Sequence, residues 1–189
     1  PVLDGPFETE GHRADDHERP RVLPGHPVLV VVLLDHAIGP PRPLVTLRDG
    51  RPLMGTLLQL TFVATAAARA RAAADASFTL VAELEAVLTT YTEASATSRM
   101  NAGAGGAPFA APPALAQILI DSQRLALLTR GSFDPTVGPL IELWTRAGQS
   151  GRLPAAAEIA AVRGLVGIER IAIDGEGRVS LGAGMAVNF

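Results

Sequence analysis

Apolar residues are spaced unevenly along the chain, and their periods divide it into elements. Leu53 to Ala64 (LMGTLLQLTFVA) mixes β-branched, aromatic and leucine side chains directly after Gly50 and Pro52, which predicts a strand with Met54 and Gly55 near its start. From 66 to 90 the chain is alanine-rich and free of proline and glycine. Leu80, Leu84, Val87, Leu88 and Tyr91 fall there on one stripe at helical spacing, so a long helix is expected. Between 91 and 113, Ser, Thr, Asn, Gly and Pro accumulate, the composition of a loop.

A second helix is predicted from Pro113 to Arg130, with Leu115, Ile118, Leu119, Leu125 and Ala126 on its apolar side. Gly131 ends it, and Arg130 suits the negative end of the helix dipole. The run Ser132-Phe133-Asp134-Pro135-Thr136 reads as a tight turn into a third helix, with Asp134 as N-cap and Pro135 at the first helical position. That helix is expected to end near Arg146, with Trp144 as a core anchor among Leu140, Ile141 and Leu143. A fourth helix is predicted over 154–166. Residues 170–173 and 178–181 then flank Asp174-Gly175-Glu176-Gly177 as a hairpin, and a further strand is expected from Leu181 toward Phe189. The sum is an α+β domain, a mixed sheet with helices packed on it, with no fixed-period repeat.

Composition adds several constraints. The 189 residues are 48% hydrophobic and 19% charged, enough apolar material for a packed core. A net charge of -3 offers no broad basic surface, so nucleic acid is not an expected partner. The longest apolar run, Val28 to Leu34, is 7 residues, against the roughly 20 that a membrane-spanning helix needs. Cysteine is absent, which removes disulfides, thiolate metal sites and a cysteine nucleophile. Residues 1 to about 50 hold all four histidines and many prolines, and read as an extended arm ahead of a domain over 51–189. In that arm His12 and His17 with Asp15 and Asp16 imitate a metal cluster, but their hydrophilic surroundings favour a solvated segment.

Three stretches carry a more specific signal: Met54-Gly55-Thr56; Tyr91 through Ser98-Arg99-Met100-Asn101; and Gly131-Ser132-Phe133-Asp134-Pro135-Thr136-Val137-Gly138-Pro139-Leu140 with Leu143-Trp144. In order, separation and context they resemble the FAD:protein FMN transferase family, along roughly residues 50 to 189. The resemblance implies Mg²⁺-dependent cleavage of the FAD pyrophosphate and transfer of FMN to a threonine hydroxyl of an acceptor protein, with release of AMP. Such chemistry rests on positioning and on charge stabilisation by a cation that bridges phosphate oxygens.

By that resemblance Met54, Tyr91 and the turn Ser132-Phe133-Asp134 contact FAD. Each has a physical reason beside it. Tyr91 offers a flat ring for stacking. Met54 is polarizable and adaptable, and Gly55 lets backbone approach a ligand. The turn is expected to present backbone N–H groups near a helix N-terminus, where a phosphate or polar edge is received. Plainer roles compete: Met54 as core filler, Tyr91 as a half-buried packing residue, Asp134 as a simple N-cap. Arg99 and Asn101 lie in the loop motif, where bracing the fold and approaching the ligand are both open.

In the family an acidic motif supplying the Mg²⁺ ligands follows much later than a strand like the one expected at 181–189. The metal ligands are therefore expected beyond Phe189, and no catalytic or metal residue is assigned within the chain. If later strands pair with 181–189, the chain alone exposes an unpaired edge. The resemblance further implies a periplasmic or cell-envelope location, with any inner-membrane attachment carried by a segment ahead of Pro1. Two other readings remain: a domain that binds FAD without transferring it, and a non-catalytic interaction module.

Overall fold

The computed structural model describes residues 43–189 together with the backbone of 2–3 and 28–33. His12, Asp15, Asp16 and His17 lie outside the described residues. The chain forms two compact units, residues 1–85 and 86–189, and its architecture is mixed α+β.

In the first unit, β1 (Val2–Leu3), β2 (Val28–Leu33), β3 (Val45–Leu53) and β4 (Thr56–Ala64) form a sheet of order β1-β3-β4-β2. β3 and β4 are an antiparallel hairpin in which Leu53 faces Thr56, while β1 and β2 add in parallel on either side. The two residues between Leu53 and Thr56 both take positive φ, 53° at Met54 and 69° at Gly55. Two left-handed residues in a two-residue loop twist in the sense of the flanking strands, which is why this turn suits a hairpin. Met54 is thus at the tip of a turn between two strands rather than near the start of one. β3 also begins inside the stretch whose composition suggested an extended arm. Arg48, Asp49, Gly50 and Pro52 hide the strand's alternation, and pairing with β4 supplies what local propensity lacks.

Helix α1 (Ala67–Leu88) packs on this sheet. The core unites Leu47, Leu60, Phe62 and Ala64 from the strands with Ala70, Ala74 and Phe78 from the helix. The strand residues recur at period two and the helix residues at every fourth position, so each set forms one face. The stripe expected at Leu80 to Tyr91 is not the one that packs here. Leu80 is exposed, whereas alanines, too small to stand out as apolar periodicity, let the helix lie close to the sheet. Arg51 closes the cluster, its guanidinium 4.3 Å from the Phe78 ring centroid and 2.8 Å from Asp75 Oδ1.

The second unit takes the last turn of α1, then α2 (Ala96–Ala102), β5 (Phe109–Ala110), α3 (Pro113–Leu128), α4 (Gly138–Ser150), α5 (Ala156–Arg163), a 3-10 turn (Ile168–Arg170), β6 (Ala172–Ile173) and β7 (Arg178–Ser180). The three strands make an antiparallel sheet of order β5-β7-β6. α2 and β5 arise where only a loop was expected. Ser95 starts α2 as an N-cap, its Oγ accepting from Ser98 N at 2.9 Å. On α3 the buried residues are Leu115, Ala116, Leu119, Ser122 and Ala126, while Leu125 is exposed. Trp144 on α4 is 49% exposed and is no core anchor in this chain; its neighbour Leu143 is buried. Residues 181–189 form no strand. They are held by a parallel bridge between Val137 and Ala186, by backbone bonds from Gly105 N to Leu181 O and from Asn188 N to Pro135 O, and by side chains.

The β6–β7 turn gives a pH-dependent prediction. Asp174 accepts from Arg178 Nε at 2.7 Å and from the N–H groups of Arg178 and Glu176 at 2.9 Å. These bonds, the Arg178 side chain's first, hold the Asp174 carboxyl below its ordinary value of 3.8. A carboxylate depressed on folding stabilises the fold above its unfolded value, and the contribution drains as pH falls through the folded value. Amide shifts of Glu176 and Arg178 should therefore titrate below the ordinary carboxyl range, and Arg178→Ala should move that midpoint upward. An unmoved midpoint would contradict the assignment.

Candidate flavin site and its supports

The end of α3 is built to deliver the turn that follows. Thr129 is its C-cap, Arg130 and Gly131 take φ of 52° and 79°, and Gly131 N donates to Ala126 O at 2.8 Å. This is the six-to-one closure of a helix end, in which a left-handed pair turns the chain sharply. Thr129 then binds the turn. Its carbonyl accepts from Ser132 N at 3.1 Å, and its Oγ1 accepts from Phe133 N at 3.2 Å. The N–H groups of Ser132 and Phe133 are thus already used inside the protein, contrary to the expectation that they face a ligand. Asp134 N–H meets no protein acceptor among the described residues.

Asp134 does not cap a helix. α4 starts at Gly138, with Val137 at the N-cap position and proline in the first turn. Pro135 lies ahead of the helix, so both expected capping roles are corrected. The Asp134 carboxylate works as a clamp instead. Oδ1 accepts from Thr136 N at 2.8 Å and from Thr136 Oγ1 at 2.6 Å, while Oδ2 accepts from Ile168 N at 3.2 Å. Thr136, fully buried, accepts in turn from Gly167 N at 2.8 Å. The hydroxyl donates one way and accepts the other, which fixes its orientation and ties the turn to the chain 31 residues on.

The last residues fasten this turn from its other side. Asn188 N donates to Pro135 O at 2.8 Å, and Ala186 bridges Val137. A β-carbon on Gly138 would lie 2.7 Å from Ala186 O, so the close approach needs glycine there. Val187, between them, is gripped by Asn101. Asn101 Nδ2 donates to Val187 O at 2.8 Å, and Val187 N donates to Asn101 Oδ1 at 2.9 Å. Of the two roles left open for Asn101, bracing is the one its bonds serve. Arg99 is exposed, its guanidinium 6.0 Å from the Phe109 ring centroid.

Tyr91 stands clear of the core, 82% exposed, in the loop after α1; this corrects the half-buried packing reading. The loop itself is fixed: Tyr91 N donates to Thr89 Oγ1 at 3.2 Å, and Ser95 Oγ donates to Thr89 O at 2.6 Å. Met54 is also exposed, so it is not core filler, and it belongs to the first unit, whereas Tyr91, Ser132, Phe133 and Asp134 belong to the second. A cavity of about 230 Å³ in the first unit is lined by Val45, Leu47, Ala67, Ala68 and Arg71, none of them a sequence-predicted site residue. Among the described residues no three His, Asp or Glu side chains gather closely enough to hold a metal ion. No helix among them is long and apolar enough to cross a membrane.

The chain is 35% identical over 99 residues to an FAD:protein FMN transferase of Vibrio cholerae, a match covering 51% of this chain and 29% of that protein. It is 32% identical over 125 residues to the Salmonella typhimurium protein of the same name, covering 64% and 35%. Its fold is similar to the solved flavin transferase ApbE from Vibrio cholerae, with a TM-score of 0.65 at 27% identity, over 77% of this chain and 48% of that one. The matches thus span about a third of the curated relatives' length and about half of the solved chain. The model of the ApbE family matches residues 54–189, the span that includes all three signature stretches, and the chain belongs to that family.

Proposed function

We propose that the chain forms part of a flavin transferase that takes FAD and transfers its FMN half to a threonine hydroxyl of an acceptor protein, releasing AMP. The observation that carries this reading is the family match over 54–189, which includes the 131–140 turn with its clamp and fastening. In this proposal the exposed Tyr91 ring stacks on a flat face of the nucleotide, and Ser132 to Asp134 meet the ligand's polar edge through Asp134 N–H and exposed side-chain atoms. Stacking and fixed donors orient the substrate, which is the protein's main contribution in phosphoryl chemistry.

Mg²⁺ is the cation proposed for the reaction, where it would neutralise charge on the pyrophosphate. The described residues do not fit such a site: no acidic cluster gathers, and both Asp134 oxygens are taken by N–H and O–H donors. No step is assigned to the cation through this chain's residues. A second reading is that this chain holds FAD without transferring it. The place of action is proposed as the periplasm or cell envelope, on the family resemblance.

Flavin fluorescence on titration of the full chain with FAD tests the proposal. Tyr91→Ala should weaken FAD binding by an amount set by base–aromatic stacking, about 1–3 kcal/mol or roughly 5- to 150-fold. The melting temperature should scarcely change, since the ring is exposed. Equal affinity in the variant would remove Tyr91 from the site, and no FAD binding by either chain would count against the proposal. Flavin transfer to a threonine peptide with AMP release would separate the first reading from the second.

A further inference from the structure

Asn101 turns both the nitrogen and the oxygen of its side-chain amide to one distant residue. Both ends bind the backbone of Val187, 86 positions away, in the manner of a strand partner. Val187 is buried, so without Asn101 its N–H and C=O would lose the partners they have in the protein, at a desolvation cost. The neighbours of Val187 both touch the entrance to α4: Asn188 N–H bonds Pro135 O, and Ala186 lies against Val137 and Gly138. That entrance follows Asp134 directly. At the other end of α2, Ser95 binds Thr89 O and caps Ser98, and Thr97 Oγ1 donates to Val87 O at 3.1 Å. The loop carrying Tyr91 is thereby joined to the start of the helix whose last turn carries Asn101.

We propose that Asn101 is a positioning residue: through the Ala186–Asn188 segment it sets the place of the 132–136 turn relative to the loop that carries Tyr91. Its bonds to Val187 use one amide N–H and one oxygen lone pair and hold the side chain against the Ala186–Asn188 segment. The consequence for FAD rests on the function proposed above; the coupling of the two segments does not.

The test uses the full chain with Asn101→Ala and Asn101→Asp. Alanine removes both bonds. Aspartate keeps an acceptor for Val187 N–H and loses the donor to Val187 O, so it remains informative where alanine prevents folding. Hydrogen exchange is read at Val187 and Asn188, at Thr136, Gly167 and Ile168 in the clamp, and along α3 as a reference. Expected is faster exchange at Val187 and Asn188 and also at the three clamp amides, by roughly 5- to 30-fold, with α3 unchanged. FAD binding should weaken over a similar range while the fold persists. Acceleration confined to Val187 and Asn188, or spread evenly over α3, would overturn the proposal. So would an unchanged FAD affinity in a variant whose clamp amides had loosened, given a wild type that binds. If the wild type binds no FAD, the functional reading fails, and the exchange pattern decides the coupling on its own.

Discussion

Asp134→Ala should destabilise the second unit by about 3 kcal/mol or more, because one side chain accepts three bonds. A hydrogen bond to a charged group is worth about 1.5–3 kcal/mol, and a buried donor left without an acceptor costs about 1–3 kcal/mol. The fully buried Thr136 would lose the acceptor for both its N–H and its hydroxyl, and Ile168 N–H would lose its partner across the turn. Asp134→Asn should cost roughly half as much. Its oxygen can still accept from Thr136, but its amide N–H₂ faces another donor at Ile168. Urea unfolding of both variants measures this, and a change within about 0.5 kcal/mol for alanine would show that the clamp is not a stabilising feature. A ligand-contact role for the carboxylate alone predicts the opposite pattern, with FAD affinity lost and stability kept.

Phe78→Ala should have a comparable or larger effect in the first unit, about 3–5 kcal/mol, the range for deleting a buried aromatic ring. Phe78 is almost fully buried in the cluster of Leu47, Leu60, Phe62 and Ala64. The alanines at 70 and 74 on the same helix face are too small to refill the space. Arg51 would also lose the ring beneath its guanidinium, an attraction of about 0.5–1 kcal/mol at a partly exposed site. Phe78→Leu, which leaves a smaller void, should cost clearly less. Similar stabilities for the leucine and alanine variants would mean that the helix closes onto the sheet and that packing there is not tightly specified.

Much of the second unit was legible from residue order. The helix expected over 113–130 and observed over 113–128, its glycine stop, the helix after 154 and the hairpin around Asp174 to Gly177 all follow from local periodicity and turn chemistry. The motif at 131–140 was legible as well, because a short contiguous string carries it. Errors fell where a residue's partner is remote or its neighbours are atypical. β3 was obscured by Gly50 and Pro52, α2 by the loop-forming residues around it, and the packed face of α1 by the smallness of alanine. Asp134 looked like a cap because Asp-Pro is a common helix entrance. Nothing near it in sequence points to Ile168, 34 positions away.

Residue order alone settled the family signature, the α+β character and the positions of most helices in the second unit, since these depend on contacts within a few residues. Tertiary structure decided what Asp134 and Asn101 do, which amides near the turn are already taken, and that Tyr91 and Trp144 stand exposed. The roles of Asp134 and Asn101 depend on backbone groups 34 and 86 positions away. A spacing pattern holds no record of such meetings, because a hydrogen bond is set by position and direction in space.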